Sequence, residues 1–591
     1  MTISINYQKR KNINLFSKLQ TNKNIAISKV QNYIPIYDRF FSLNATNWNS
    51  INLNHKLYLS DIKETKDKHI LGKLKNIHMT EDEETCKIFI KMAPLLDPCK
   101  YLIGKYNYND PTLFNLPSFD KSNKVHPKIA DINNSSYVDG FFSFLTSTLL
   151  NEHNFIHGLD YYGSFLAIKN DYKINIIDDL DYLVQSSFFN SQKNILFKVE
   201  DYSHLIEDTN TTKILKPINI STSLKSIASV ASINQDMFEN IFDNNSNNNN
   251  FVSLEDITDS NFFDLSEQTK SETLKSSSSC SSRSSHTNDN DYDDTNDVNN
   301  DINNDINNDN SSEMTDKDNQ DINSDTSSFD TYYDDDDVVM LTMPKFPIQL
   351  ICLEQCEATL DKLIMEEDMT EEQWFSALMQ VIMTLITYQK TFSFTHNDLH
   401  TNNIMYITTN KKFIYYVYKK KTYKVPTFGR IFKIIDFGRA IYKYNDKIFC
   451  SDSFQTGGDA ATQYNTEPFF NDKKPRLEPN FSFDLCRLAC SIFDYVVDNF
   501  QNLKTLTETN SLVRIINEWC TDDNGVNILY KNNGVERYPD FKLYKMIARF
   551  VHNHTPQAQL ERPEFRKYII TNKNIPKTET IINIDELPEK M

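Results

Sequence analysis

The sequence predicts an α+β fold in two parts, a small β-rich first part interrupted by a long disordered acidic insert, and a larger helical second part. Three observations predict it. Before residue 200 the chain carries short apolar runs such as Cys86–Met92, Tyr161–Ile168 and Tyr172–Ile177, which read as strands. After residue 357 apolar residues recur three and four apart, as in Trp374, Leu378, Val381, Leu385 and Tyr388, which reads as helix. From Asn244 to Asp337 the chain collapses into Asn, Asp and Ser, and such a composition cannot bury a core. We expect a flexible tail at 1–32, the β-rich part at 33–204, and the insert at 205–339. The β-rich part then ends in a bend at 340–356, the helical part covers 357–575, and a second tail follows at 576–591.

Charge and cysteine usage narrow the function classes. Residues 289–337 hold 18 acidic side chains against Lys317 alone, so they account for 17 of the 19 net negative charges. The rest is nearly neutral and gives no electrostatic case for nucleic acid. Nine cysteines include no Cys-x-x-Cys pair, and Cys352/Cys356 and Cys486/Cys490 lack matching histidines. That argues for free thiols in a reducing, cytoplasmic compartment and against zinc. The N-terminus has no apolar leader, and no run is long enough to cross a membrane. The sequon Asn44-Ala-Thr46 is inert without a secretory signal.

In chain order, residues 1–30 are polar and basic (Lys9, Arg10, Lys11, Lys18, Lys23, Lys29) and read as a solvated tail. Cys86–Met92 reads as a buried strand, Ile88-Phe89-Ile90, ending in Lys91. A strand lysine among apolar neighbours calls for a charged partner such as a nucleotide phosphate; the other reading is an edge-strand lysine facing solvent. Residues 136–152 read as an amphipathic helix with two acidic candidates, Asp139 and Glu152. Tyr161–Ile168 and Tyr172–Ile177 read as two strands around a Lys-Asn-Asp turn. In the insert, Asp297, Asp301 and Asp305 start a short period-four repeat, and the Ser run 276–282 lies among acidic neighbours. Pro347–Glu357 is a buried strand running into polar residues, and Thr370-Glu-Glu-Gln373 is a capping box opening a helix.

That helix leads to Thr395-His-Asn-Asp-Leu-His-Thr-Asn-Asn-Ile-Met405, with Ile435-Asp-Phe-Gly-Arg439 beyond it. Asp398, Asn403 five residues later, and Asp436 all carry oxygen ligands or acceptors. Apolar residues bracket each group, which places the polar side chains in turns at the ends of buried strands. Phosphoryl transfer asks for this set: one Asp orients the incoming hydroxyl, while an Asn and a second Asp hold Mg²⁺ against the phosphates. Asp484 opens another apolar helix, where the helix dipole alone would favour it.

His396-x-Asp398-Leu-x-x-x-Asn403 resembles the kinase catalytic loop, and Asp436-Phe437-Gly438 resembles its metal-binding Asp-Phe-Gly. With the strand Lys91, the order resembles the protein kinase-like superfamily, and in particular the serine/threonine kinases of giant nucleocytoplasmic DNA viruses (mimivirus type). The resemblance covers roughly 33–200 and 340–570. It implies a bilobal fold with an N-lobe, a hinge and a helical C-lobe, ATP and Mg²⁺ as cofactors, and protein substrates in the cytoplasm of a host cell or in a virion. Carried over, Asp398 orients the substrate hydroxyl, Asn403 and Asp436 bind Mg²⁺, and Lys91 holds the α/β-phosphates. Asp139 pairs with Lys91, Glu354 to Cys356 meet adenine through backbone groups, and Asp484 bonds the catalytic loop, with His396 and His400 in support.

Four departures matter. No Gly-x-Gly-x-x-Gly precedes Lys91, the nearest glycine before it being Gly72. Asn397 replaces the Arg that usually pairs with a phosphorylated activation loop. His400 stands where serine/threonine kinases carry Lys, a pattern shared with aminoglycoside and choline kinases. No Ala-Pro-Glu is present. A small-molecule kinase and a pseudokinase scaffold therefore stay open.

Overall fold

Residues expected to form the N-terminal tail are built into the fold. Helix α1 (Ile13–Thr21) buries Leu15 and Leu19, four apart on one face, and strand β1 (Ile27–Gln31) joins the main sheet. The computed structural model describes residues 3–202 and 338–589, apart from 65–69, 80–82, 121, 498, 572–574 and 576–578. The acidic tract, its repeat and the Ser run lie outside the described residues. Within them the protein is a mixed α+β fold, and among them no helix is long and apolar enough to cross a membrane.

The sheet continues with β2 (Leu57–Glu64), β3 (Ile70–Asn76) and β4 (Glu83–Pro94). Helix α2 (Ser135–His153) follows, then β5 (Tyr161–Asn175) and β6 (Met340–Glu354). The order is β1-β5-β6-β4-β3-β2, each neighbour antiparallel, with residues 198–199 pairing onto β6 as a seventh strand. The expected hairpin at 169–171 does not form. β5 pairs with β6 from Gly163↔Cys352 to Asn175↔Met340, and the turn-like Lys-Asn-Asp only bends it, through a left-handed Asp171 (φ 50°). A short Asp side chain tolerates that conformation. β4 is two-faced rather than buried throughout: Ile88 is buried while Phe89 is 48% exposed.

Gly72 is a packing glycine rather than part of a phosphate loop. It pairs with Cys86, and a Cβ there would lie 2.8 Å from Ile88 Cγ2 and 2.9 Å from Leu59 Cδ1.

The second part opens with α3 (Glu371–Phe392), capped by the expected Thr370/Gln373 box. Burial encircles α3 rather than following one stripe, since the rest of the part packs around it. Strands β7 (Ile404–Thr408), β8 (Phe413–Tyr418), β9 (Lys421–Pro426) and β10 (Arg430–Ile434) come next, with β7 antiparallel to β10 and β8 to β9. β11 (Ile441–Tyr444) and β12 (Lys447–Cys450) form a hairpin. Helices α4 (Phe483–Val496) and α5 (Lys542–Phe550) complete the core.

The expected C-terminal tail is likewise a working element. Strand β13 (Ile581–Asn583) lies parallel to β8 and buries Ile582, with Ile584 and Leu587 buried beyond it. Asp585 accepts hydrogen bonds from the amides of Lys419 and Lys420, both with positive φ, at 2.7 and 2.9 Å. It thereby supports a β8–β9 turn that two lysines alone would disfavour. Burying each of the three apolar side chains is worth about 1.5–3 kcal/mol. Deleting residues 576–591 should therefore lower the melting temperature by several degrees in thermal denaturation followed by circular dichroism; an unchanged transition would show that the segment contributes nothing.

Candidate active site

The site is organised by how closely α2 approaches the sheet. Asn134 caps the helix through the Ser136 amide (3.1 Å), and every residue from Ser136 to Leu149 is buried. Gly140 faces β6, where a Cβ would collide with the side-chain amide of Gln349. That closeness lets Asp139, one methylene shorter than a Glu, reach β4. Asp139 Oδ2 accepts from Lys91 Nζ at 2.7 Å, and its Oδ1 accepts from the Phe437 amide at 3.0 Å. Burial raises the Asp139 carboxyl above its ordinary range despite the Lys91 ammonium beside it. Lys91 also pairs with Asp436 Oδ1 at 2.9 Å. Burial works against the Lys91 charge, but the two carboxylates outweigh it and raise its pKa. Glu152 lies at the far end of α2 and takes no part in this pair.

The Thr395–Met405 loop is held from below. Asp484, at the start of α4, accepts from the amides of His396 and Asn397, both at 2.9 Å. His396 Nε2 bonds the Ile435 carbonyl (2.9 Å) and so ties the loop to the Asp436 turn. Asp398 is 2% exposed; its Oδ1 accepts from Tyr544 Oη at 2.7 Å, and its Oδ2 lies 3.6 Å from Arg439 Nη1 without a hydrogen-bond donor. Burial would raise the Asp398 carboxyl, but Arg439, His400, Arg487 and Tyr544 together pull it down to about 2. It is therefore a fixed carboxylate with one oxygen uncommitted.

Asp436 is in the left-handed region (φ 60°), as is Asn397 (φ 64°). Non-glycine residues persist there only where the surroundings hold them. The holder at Asp436 is Phe437, fully buried 4.7 Å from the ring of Phe142 on α2, which itself stacks on Phe394 at 4.4 Å. Desolvation raises the Asp436 carboxyl, but Lys91 more than offsets it, and the pKa is lowered. Asn403 donates Nδ2 to the Asp398 carbonyl (2.9 Å) and to His400 Nε2 (3.1 Å), which leaves its Oδ1 outside both contacts. The Ile435 amide bonds the Asn403 carbonyl (2.9 Å), so Asn403 and Asp436 sit on adjacent chains. Their carboxylate and amide oxygens suit Mg²⁺, a hard cation that takes one or two protein ligands and completes its shell with phosphates and water. Among the described residues no group of three or more His, Cys, Asp or Glu could hold a metal without such help.

A cavity of about 370 Å³ brings these groups together, lined by Lys91, Asp139, Asp398, Asp436, Gly438 and Arg439 among others. Glu354 and Cys356 do not line it. Glu354 is drawn elsewhere by buried Lys433, whose charge needs a partner: its Oε1 pairs with Lys433 and accepts from the Asp160 amide (2.8 Å), and its own amide donates to the Asp160 carbonyl (3.0 Å). The Cys356 thiol is buried and pushed up to about 12. His400 is buried and faces Asn403; burial lowers its pKa to about 3, so it is neutral.

Sequence reasoning missed Arg439, Asp459, Arg487 and Tyr544. Arg439 Nη2 pairs with Asp459 at 2.9 Å, and Arg487 Nε donates to Tyr544 Oη at 2.9 Å. Only Arg439 carried a usable signal, being adjacent to Asp436-Phe437-Gly438.

No family model matches the sequence. The serine/threonine-protein kinase haspin homolog of Drosophila melanogaster is 32% identical over 97 residues, which is 15% of this chain and 17% of that protein. The chain thus matches less than a fifth of the length of that curated relative. The similarity supports a kinase-like relationship for this chain.

Proposed function

We propose that this protein is a bilobal, ATP- and Mg²⁺-dependent kinase that transfers the γ-phosphoryl group to Ser or Thr hydroxyls of protein substrates. The observation that carries the reading is that Lys91, Asp398 and Asp436 line one cavity, with Asp139 fixing the lysine and Asn403 on the segment beside Asp436. Lys91 would hold the α/β-phosphates. Asn403 Oδ1 and Asp436 would hold Mg²⁺, which neutralises charge on the phosphate oxygens. Asp398 Oδ2 would accept the hydrogen bond of the acceptor hydroxyl and orient it. Catalysis on this plan is mostly positioning and charge neutralisation. The test is transfer of labelled γ-phosphate from Mg-ATP to generic protein acceptors. Label on Ser or Thr supports the reading. ATP consumption only with small-molecule acceptors would redirect it, and absence of both transfer and nucleotide binding would leave a scaffold.

Activity on this reading needs no phosphorylated activation loop. Asn397 is buried and neutral: its Nδ2 donates to the Arg439 carbonyl (3.0 Å) and its Oδ1 accepts from Tyr464 Oη (2.8 Å). The segment after Asp436 is anchored instead by fixed carboxylates. Asp452 pairs with Lys128 at 2.5 Å and accepts from the Ser135 amide at the start of α2 (3.0 Å), while Lys100 Nζ donates to the Gly457 carbonyl (2.6 Å). Phosphatase treatment should leave the rate unchanged within assay error. A loss of about tenfold, equivalent to 1.4 kcal/mol, would contradict this.

A further inference from the structure

We propose that Arg439 is a further catalytic residue, whose guanidinium supplies positive charge beside the acceptor oxygen and the transferring phosphoryl group. The inference rests on the kinase reading above.

The Thr395–Met405 loop carries no lysine beside Asp398. His400, at the position where a lysine would serve, is buried, and its Nε2 is engaged by Asn403 Nδ2. Lys91 is engaged by Asp139 and Asp436 at the nucleotide end of the cavity. At the acceptor end, Arg439 Nη1 lies 3.6 Å from Asp398 Oδ2. That oxygen is the uncommitted one. A hydroxyl donating to Oδ2 at about 2.7 Å is then within roughly 6 Å of the guanidinium, whatever its direction. The side chain is 7% exposed and lines the same cavity as Lys91 and Asp436, so its field acts through little water.

The guanidinium is also pre-positioned. Asp459 accepts from Nε (3.3 Å) and Nη2 (2.9 Å), which fixes the plane and directs Nη1 toward Asp398. The Arg439 carbonyl is held by Asn397, tying its backbone to the catalytic loop. In the step itself, the acceptor O–H bond breaks and its proton passes to Asp398 Oδ2. The acceptor oxygen bonds the γ-phosphorus, and the bond from phosphorus to the β,γ-bridging oxygen breaks, its electron pair leaving with ADP. Arg439 exchanges no proton; it stabilises charge on the phosphoryl oxygens as they pass, the role of an arginine supplied in cis.

The competing role is structural, an anchor for the segment carrying Asp459. The full-length chain separates the two through binding as well as rate. For wild type, Arg439→Gln, Arg439→Lys and Asp459→Asn, we would measure kcat, KM for ATP, and affinity for Mg-ADP with and without aluminium fluoride, a stand-in for the transferring phosphoryl group. We expect Arg439→Gln to lower kcat by about 10²–10³-fold, leave Mg-ADP affinity unchanged, and abolish the tightening that fluoride gives wild type. Asp459→Asn, which loosens the anchor but keeps the guanidinium, should retain that tightening. Arg439→Lys, which keeps the charge without the fork, should retain it with a smaller loss of rate, and it carries the test if Arg439→Gln does not fold. Fluoride tightening that survives in Arg439→Gln, or that is lost in a folded Arg439→Lys, overturns the proposal. A wild type that neither transfers phosphate nor binds Mg-ADP more tightly with fluoride overturns the kinase reading itself, and the inference with it.

Discussion

Replacing Asp398 with Asn should abolish phosphoryl transfer and leave nucleotide binding intact. The substitution is nearly isosteric, and its carbonyl can still accept from Tyr544 Oη, which holds Oδ1 at 2.7 Å in the wild type. What it removes is the negative charge and the uncommitted Oδ2, which become an amide donor facing Arg439. A hydroxyl oriented by Oδ2 then loses its acceptor, and positioned acid–base groups of this kind are worth about 10²–10⁴-fold in rate. Lys91, Asn403 and Asp436 are untouched, so Mg-ATP affinity should change little. The check is labelled γ-phosphate transfer beside calorimetric titration of Mg-ATP. A variant that turns over like wild type would remove Asp398 from the chemistry. One that no longer binds nucleotide would show that the loop had been disrupted rather than its acceptor lost.

The residues readable from the sequence share one property: each stands at a short, fixed chain distance from an element that announces itself. Lys91 ends an apolar run, Asp398 and Asn403 follow a capped helix, Asp436 ends a strand, and Asp484 opens one of the apolar helices. Lys91, Asp398 and Asp436 line one cavity, and Asp484 holds the loop that carries Asp398. The unreadable part is made by packing between distant segments. Tyr544 reaches Asp398 across 146 residues, and Lys433 takes Glu354 from 79 residues away. Neither pairing leaves a local trace. The terminal segments depart from the solvated tails their composition predicts for a related reason. Each is polar on average but contributes a few side chains, Leu15 and Leu19 or Ile582 and Ile584, to a core the rest of the chain has already built. Composition averages over that contribution. The expected turn inside β5 does not form because turn-forming residues set a local preference that pairing with β6 on both sides of Asp171 overrides.

Asp139→Ala should lower kcat/KM by about 10²–10³-fold, equivalent to some 3–4 kcal/mol of transition-state stabilisation. The carboxylate does two jobs at once, holding Lys91 at 2.7 Å and the Phe437 amide at 3.0 Å. Its loss leaves a buried amide unpaired, at a cost of about 1–3 kcal/mol, and frees Lys91 to collapse onto Asp436, the proposed metal ligand. The same geometry gives a sharper test at Gly140. In an exposed helix, Gly→Ala would stabilise by about 1 kcal/mol. Here the added Cβ meets the Gln349 amide, which is itself fixed by a 2.6 Å hydrogen bond to Ser164 Oγ. If the buried Gln349 side chain holds its place, helix α2 retreats from β6 and draws Asp139 away from Lys91, and Gly140→Ala should lower kcat/KM although it favours the helix. Adding Asp139→Glu should recover part of that loss, because the longer side chain restores the reach. Kinetics of the two single variants and the double variant decide the matter. If Glu at 139 is no better with Ala at 140 than with Gly, the approach of the helix does not set the Lys91 contact.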